Sequence, residues 1–136
     1  MVSQTIFDLG PYTRGFHLIT EDVLRHIGSL PESGLLHVFM QHTSAGLMIN
    51  ENADPDVRHD LNLYFDQIAP EYITGMRHTL EGPDDMPAHV KSALSGVSLM
   101  IPIVRHSLGL GTWQGIYLCE YRNHAPRRKI VAIILA

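Results

Sequence analysis

The sequence predicts an α+β fold: a single domain over residues 1–136, with a mostly antiparallel or mixed β-sheet and about three helices. The order of segments carries this, reading strand, strand, helix, strand, strand, helix, helix and then three strands. The links between neighbouring strands are turn-length, not the long crossovers that parallel pairing needs. Apolar residues also switch between period two in the strand segments and helical spacing in the others.

Val2 to Leu9 alternates as a strand, and Gly15 to Thr20 is its expected antiparallel partner across a turn holding Gly10 and Pro11. Thr20 is placed to cap a short helix with Val23, Leu24 and Ile27 at helical spacing, stopped by the run from Leu30 to Gly34. Leu35 to Gln41 is extended and apolar. After the polar break at His42, Thr43 and Ser44, a second extended piece covers Leu47 to Ile49. Asp54 followed by Pro55 starts the next helix, because the carboxylate accepts from free first-turn amides where proline needs no donor. Val57, Leu61, Tyr64, Phe65 and Ile68 then share one face until Pro70. Glu71 to Asp85 has no period and reads as a functional loop. Asp84 or Asp85 caps a third helix to about Ser95, with Pro87 in its first turn and Gly96 beyond its end. Val97 to Val104 is a strand that Pro102 confines to an edge or a bulge. Gly115 to Arg122 and Arg128 to Leu135 close the chain as a hairpin through Asn123 to Arg127.

Composition narrows the function classes. Hydrophobic residues make up 45% of the chain and charged residues 18%, with a net charge of −4. Such a chain builds a core of its own and lacks the basic footprint of a nucleic-acid binder. Cys119 is the single cysteine, which excludes a disulfide framework and every multi-cysteine metal pattern. No apolar run reaches the roughly 18 residues of a membrane span, and the first residues lack a signal-peptide pattern. The expected compartment is the cytoplasm, with neither nucleic acid nor membrane as partner. Histidine is the unusual residue: the chain has nine, against ten lysines and arginines together.

Two polar clusters concentrate the chemistry. The first is His42-Thr43-Ser44-Ala45, followed by Asn50-Glu51-Asn52 and Asp54; the second runs from His78 to His89 through Glu81, Asp84 and Asp85, with Lys91 beyond it. His42, His78 and His89 suffice to hold a divalent metal, zinc or magnesium, or to act without metal as an acid–base and phosphate-binding cluster. No His-Glu-x-x-His pair is present, so convergence has to come from the fold. Plainer readings stand beside these: a hydrogen-bonded core residue for His42, a helix cap for Asp84 or Asp85, and surface carboxylates for Glu51 and Glu81.

A glycine-rich stretch from Leu108 to Gly115 leads into a strand, where a dinucleotide fingerprint would leave one, so bulges and turns account for its glycines. Trp113, between Thr112 and Gln114, suits either a wall for a flat ring or a core or subunit contact. Glu120 and Arg122 share a strand face, whereas Cys119 points with Tyr117 and Tyr121 and reads as a small buried hydrophobe. No Gly-x-Ser-x-Gly elbow supports a serine nucleophile.

Taken in order, these blocks resemble the secondary thiamine-phosphate synthase family, the YjbQ-like proteins. The matching residues are Gln41-His42-Thr43-Ser44-Ala45, Asn50-Glu51-Asn52-x-Asp54-Pro55-x-Val57-Arg58-x-Asp60, His78-x-x-Glu81-Gly82-x-Asp84-Asp85-Met86-Pro87-x-His89-x-Lys91, Gly111-Thr112-Trp113-Gln114-Gly115-Ile116 and Glu120-x-Arg122. The resemblance implies a compact α+β YjbQ-like domain, a homotrimer and a cleft that gathers the motif residues. It also implies a reaction joining hydroxymethylpyrimidine diphosphate to thiazole phosphate with release of diphosphate. On that expectation His42, His78, His89, Glu81 and Asp85 are catalytic, and the three histidines hold the metal. Thr43, Ser44, Asn50, Asn52, Lys91, Thr112, Trp113, Gln114, Glu120 and Arg122 bind a small phosphorylated metabolite, with Lys91 and Arg122 on phosphate oxygens and Trp113 stacked on the pyrimidine. Arg105-His106-Ser107-Leu108-Gly109 departs from the glycine-led hairpin common in relatives. Rival readings keep the cleft and change the outcome: metal-dependent hydrolysis of a small phosphorylated or amide substrate, or a non-enzymatic trimer that binds a metabolite.

Overall fold

Alternation along the strands sorts apolar side chains onto two faces, and the chain buries them between two sheets. The computed structural model describes residues 1–136. Its elements are β1 (Val2–Leu9), β2 (Gly15–Leu18), α1 (Thr20–Ile27), β3 (Ser33–Met40), β4 (Ala45–Glu51), α2 (Pro55–Ile68), α3 (Asp85–Ser95), β5 (Ser98–Val104), β6 (Ser107–Leu108), β7 (Gln114–Glu120) and β8 (Arg128–Leu135). One sheet has the order β1-β8-β3-β5-β6 and the other β2-β7-β4, and every pairing is antiparallel. The α+β class with three helices is as expected.

The strand neighbours are not. β1 pairs with β8 and β2 with β7, so β1 and β2 are not partners. β7 and β8 likewise lie in different sheets, so Asn123 to Arg127 is a sheet-to-sheet crossing and not a hairpin. The links at 10–14, 41–44 and 121–127 all pass from one sheet to the other. Each lets two consecutive strands bury their inward faces against one another, which edge-to-edge pairing would not do.

The main core shows this arrangement. Phe7, Leu36, Val38, Met40, Ile101 and Ile130 of the larger sheet meet Ala45, Leu47, Ile116 and Leu118 of the smaller, and Val23 of α1 joins them. The alternate β7 residues Tyr117 and Cys119 face the other way, packing with Phe16, Tyr121 and Ala88 against Leu61 and Phe65 of α2. Helices α2 and α3 therefore cover the outer face of the smaller sheet. Gly46 brings α3 close: a Cβ there would stand 2.2 Å from Ser95 Oγ and 2.7 Å from the Gly96 carbonyl.

Local signals held or failed for identifiable reasons. Asp54 caps α2 as expected, accepting from the Asp56 amide at 2.9 Å. Thr20 begins α1 but does not cap it, because its hydroxyl accepts the Ile116 amide at 2.9 Å. Pro102 sits beside β6, a two-residue edge strand entered through a turn in which Arg105 and His106 hold φ of 50° and 65°. That turn carries no glycine or asparagine at its centre, which is why β6 left no trace in the sequence pattern.

Candidate functional site

Asp85 and His89 stand four residues apart on α3 and so share one helix face. The loop before α3 returns His78 to them. His78 Nε2 lies 2.5 Å and His89 Nε2 3.1 Å from the same oxygen, Asp85 Oδ2. The three ligand atoms all lie within 4.8 Å of one another. Glu81 stands at the rim, its carboxylate 4.0 Å from His78 Nε2. Arg122 secures the arrangement from β7's C-terminal end: its Nη1 donates to Asp85 Oδ1, its Nε to Asp84 Oδ2 at 2.8 Å and its Nη2 to the Glu81 carbonyl at 2.9 Å.

These contacts set the charge state of the acids. Burial alone would raise the carboxyl pKa of Asp85, but the His78 hydrogen bond and the charges of Arg122 and His89 outweigh it and hold it below the ordinary carboxylate range. Asp84 is depressed in the same way, with burial opposed by the Asn123 amide and Arg122. Asp84 thus serves Arg122 and makes no side-chain cap on α3.

The tautomer of His89 follows from geometry. Its Nδ1 lies 2.8 Å from the Thr43 carbonyl, which can only accept, so Nδ1 carries the proton. Nε2 then meets Asp85 Oδ2 either as the second N–H of an imidazolium or, in a neutral ring, as a lone pair. Two lone pairs settle at that separation only when a cation, a proton or a metal ion, lies between them. A carbonyl on one imidazole nitrogen with the other aimed at a carboxylate-lined centre is the arrangement that orients metal-binding histidines.

His42 stands apart from this centre. The Lys129 amide donates to His42 Nε2 at 2.9 Å, so the neutral ring carries its proton on Nδ1 and keeps no free lone pair for a metal. Burial and the nearby charge of Arg128 lower its pKa and favour this neutral form. The expected group of three histidines is therefore, in the structure, two histidines and Asp85. His42 and His89 instead share the wall of a cleft of about 560 Å³ between the C-terminal end of β3 and α3.

The remaining expected binding residues divide between structural roles and a distant location. Lys91 is buried and pairs with Asp66 of α2 at 2.5 Å, and Arg122 is taken up by Asp84 and Asp85, so both expected phosphate cations are engaged within the protein. Ser44 accepts from Arg128 Nη2 at 3.1 Å, and Glu120 is fully buried against the same guanidinium. Asn50 bonds only the next amide in the chain. Asn52 donates to the carbonyls of Thr112 and Gln114, and Gln114 accepts from Gly111, holding the turn that carries an exposed Trp113. That turn joins the far end of β4, about 20 Å along the strand from Ala45. Arg128 and Asp66 were not singled out in the sequence. Arg128 had a signal, since it shares strand parity with Ile130, Ala132 and Ile134, all buried.

The family model described as UPF0047 protein YjbQ-like matches residues 6–136. The chain belongs to the YjbQ family. It is 44% identical over 133 residues to UPF0047 protein YjbQ of Escherichia coli O157:H7, covering 96% of each chain. It is 48% identical over 122 residues to UPF0047 protein sll1880 of Synechocystis, covering 90% of this chain and 82% of the relative. Among solved structures, a conserved hypothetical protein of Thermus thermophilus superposes with a TM-score of 0.83 at 34% identity, covering 96% of this chain and 98% of that one. A YjbQ-like protein of Sulfolobus solfataricus shares the fold, with a TM-score of 0.86 at 21% identity.

The YjbQ relatives correct one expectation. They are named by family alone, and the Sulfolobus protein is described as of unknown function. Thiamine-phosphate synthesis therefore does not follow from membership of the YjbQ family, and the assignment of hydroxymethylpyrimidine and thiazole phosphates as substrates falls with it. No helix of the protein is long and apolar enough to cross a membrane.

Proposed function

We propose that His78, Asp85 and His89 hold a divalent transition metal, and that the protein uses it as a Lewis acid on a small oxygen-bearing ligand. The observation that carries this is the approach of His89 Nε2 to Asp85 Oδ2 at 3.1 Å while the Thr43 carbonyl fixes the proton on Nδ1. Two imidazoles and one carboxylate suit zinc better than magnesium, which prefers oxygen ligands. Three protein ligands leave a position open for water or a ligand oxygen. Glu81, at the rim, is placed to take a proton from a metal-bound water.

The test is calorimetric titration of zinc into protein purified without a histidine tag. One equivalent binds the parent and His42→Ala, while Asp85→Asn and His89→Ala lose at least tenfold in affinity. Absence of a stoichiometric site, or dependence on His42 equal to that on His89, overturns the proposal.

We also propose the homotrimer that the resemblance implied. Its support is the outer face of the larger sheet, which no helix covers: Ile6, Leu35, Met100 and Val104 are all exposed there. Light scattering of the parent and of Met100→Glu tests it, with a trimer expected for the first and a smaller species for the second. A monomeric parent rejects it.

A further inference from the structure

The cleft beside His89 differs in chemistry from the centre it adjoins. Phe39, Met40, Ala93 and Val97 give it apolar walls, and no lysine, arginine or carboxylate lines it. The polar groups on its wall are largely spent within the protein. Ser92 donates to the Ala45 carbonyl at 2.7 Å, and the Thr43 carbonyl receives His89. The Gln41 side-chain amide and the Thr43 hydroxyl are also unpartnered, but both residues are exposed and keep their water; His42 is half-buried, and because the Lys129 amide occupies Nε2, its Nδ1–H is left as a fixed donor with no partner in the protein. A charged ligand body would enter such a space without a counter-charge and lose its hydration. An uncharged one loses little and gains the apolar contact.

We infer that this cleft binds an uncharged, planar or apolar ligand body bearing a hydrogen-bond acceptor, a carbonyl oxygen or ring nitrogen, that His42 Nδ1–H reads, and that the same ligand presents an oxygen toward His89. The inference deepens the metal-centre reading and rests on it only for that last contact. His42 is then a specificity residue, and an anionic group has no place in this cleft.

The experiment follows backbone amide shifts by NMR on the full chain, first without metal. Benzamide produces saturable shifts confined to Phe39–Thr43 and Ala93–Val97, while inorganic phosphate and benzylammonium at equal concentration produce none there. Ala93→Trp, which fills the cleft, weakens benzamide at least tenfold. Benzamide binds at least fivefold more tightly than toluene to the parent, and His42→Phe removes that ratio; a general loosening of the fold would weaken both probes alike. With zinc present, benzohydroxamic acid binds at least tenfold more tightly than acetohydroxamic acid, because only the former reaches from the metal into the cleft. Shifts with phosphate or benzylammonium equal to those with benzamide, or benzamide binding untouched by Ala93→Trp, overturn the inference. Failure of zinc to bind overturns the metal centre alone, since the benzamide measurements use metal-free protein.

Discussion

Glu120 Oε2 lies 2.5 Å from Arg128 Nη2, and the two side chains are 0% and 3% exposed. The pair spans the two sheets, since Glu120 ends β7 and Arg128 begins β8, and Arg128 also donates to the Ser44 hydroxyl. A charge left alone at this depth is far worse than no charge. Arg128→Met is therefore expected to cost about 3–5 kcal/mol by leaving Glu120 unpaired, while Glu120→Leu combined with Arg128→Met recovers most of it. Urea denaturation of the two variants and the parent measures this. The double variant still loses the bond that holds Ser44, next to the Thr43 carbonyl that orients His89, so its zinc affinity is expected to fall even where its stability returns.

Stability falls in two steps as the solution is acidified in the presence of a chelator. His42 has a folded pKa below its ordinary 6.5, so the unfolded chain takes up its proton first. Its contribution is whole above that value and is lost as pH falls through 6.5 toward the folded pKa. Asp84 is also depressed, so its contribution is whole above the unfolded value of about 3.9 and is lost as pH falls through the lower folded one. Unfolding free energies at closely spaced pH values between neutrality and pH ~3 resolve both steps. His42→Phe removes the first, and Asp84→Asn diminishes the second, the remainder belonging to Asp85, which is depressed in the same direction; a parent curve flat through either window contradicts the assignment.

Gly46→Ala tests how closely α3 is seated on β4. The new Cβ meets Ser95 Oγ, which can rotate away, and the Gly96 carbonyl at 2.7 Å, which cannot. A loss of about 1–3 kcal/mol is expected, and adding Ser95→Ala restores only part of it. Full restoration places the obstruction in the hydroxyl alone. Thermal denaturation of the three proteins distinguishes these outcomes.

Much of this fold is legible in local pattern. The parity of β7 separates Ile116 and Leu118 from Tyr117 and Cys119, and those residues face different layers as the alternation requires. Asp54 and Pro55 start α2 because capping acts over a few residues. Strand pairing was not legible, because a short link serves a hairpin and a sheet-to-sheet crossing equally, and only the facing layer decides between them. The candidate site divides along the same line. Asp85 and His89 share a helix face by spacing alone, whereas the state of His42 depends on the Lys129 amide, 87 residues away in sequence. Lys91 and Arg122 read as free cations until their partners on α2 and in the loop before α3 are known.

The Thr43 carbonyl that holds His89 belongs to the link carrying the chain from β3 in one sheet to β4 in the other. The histidine is thereby moored to the seam between the two layers and not to either layer alone. If the sheets part slightly, Thr43 moves, the imidazole is free to turn, and its second nitrogen no longer points at Asp85. The candidate centre therefore acts as a gauge of its own scaffold: it keeps its shape only while the sandwich stays shut, and a cation gripping His78, Asp85 and His89 would in turn clamp the seam closed.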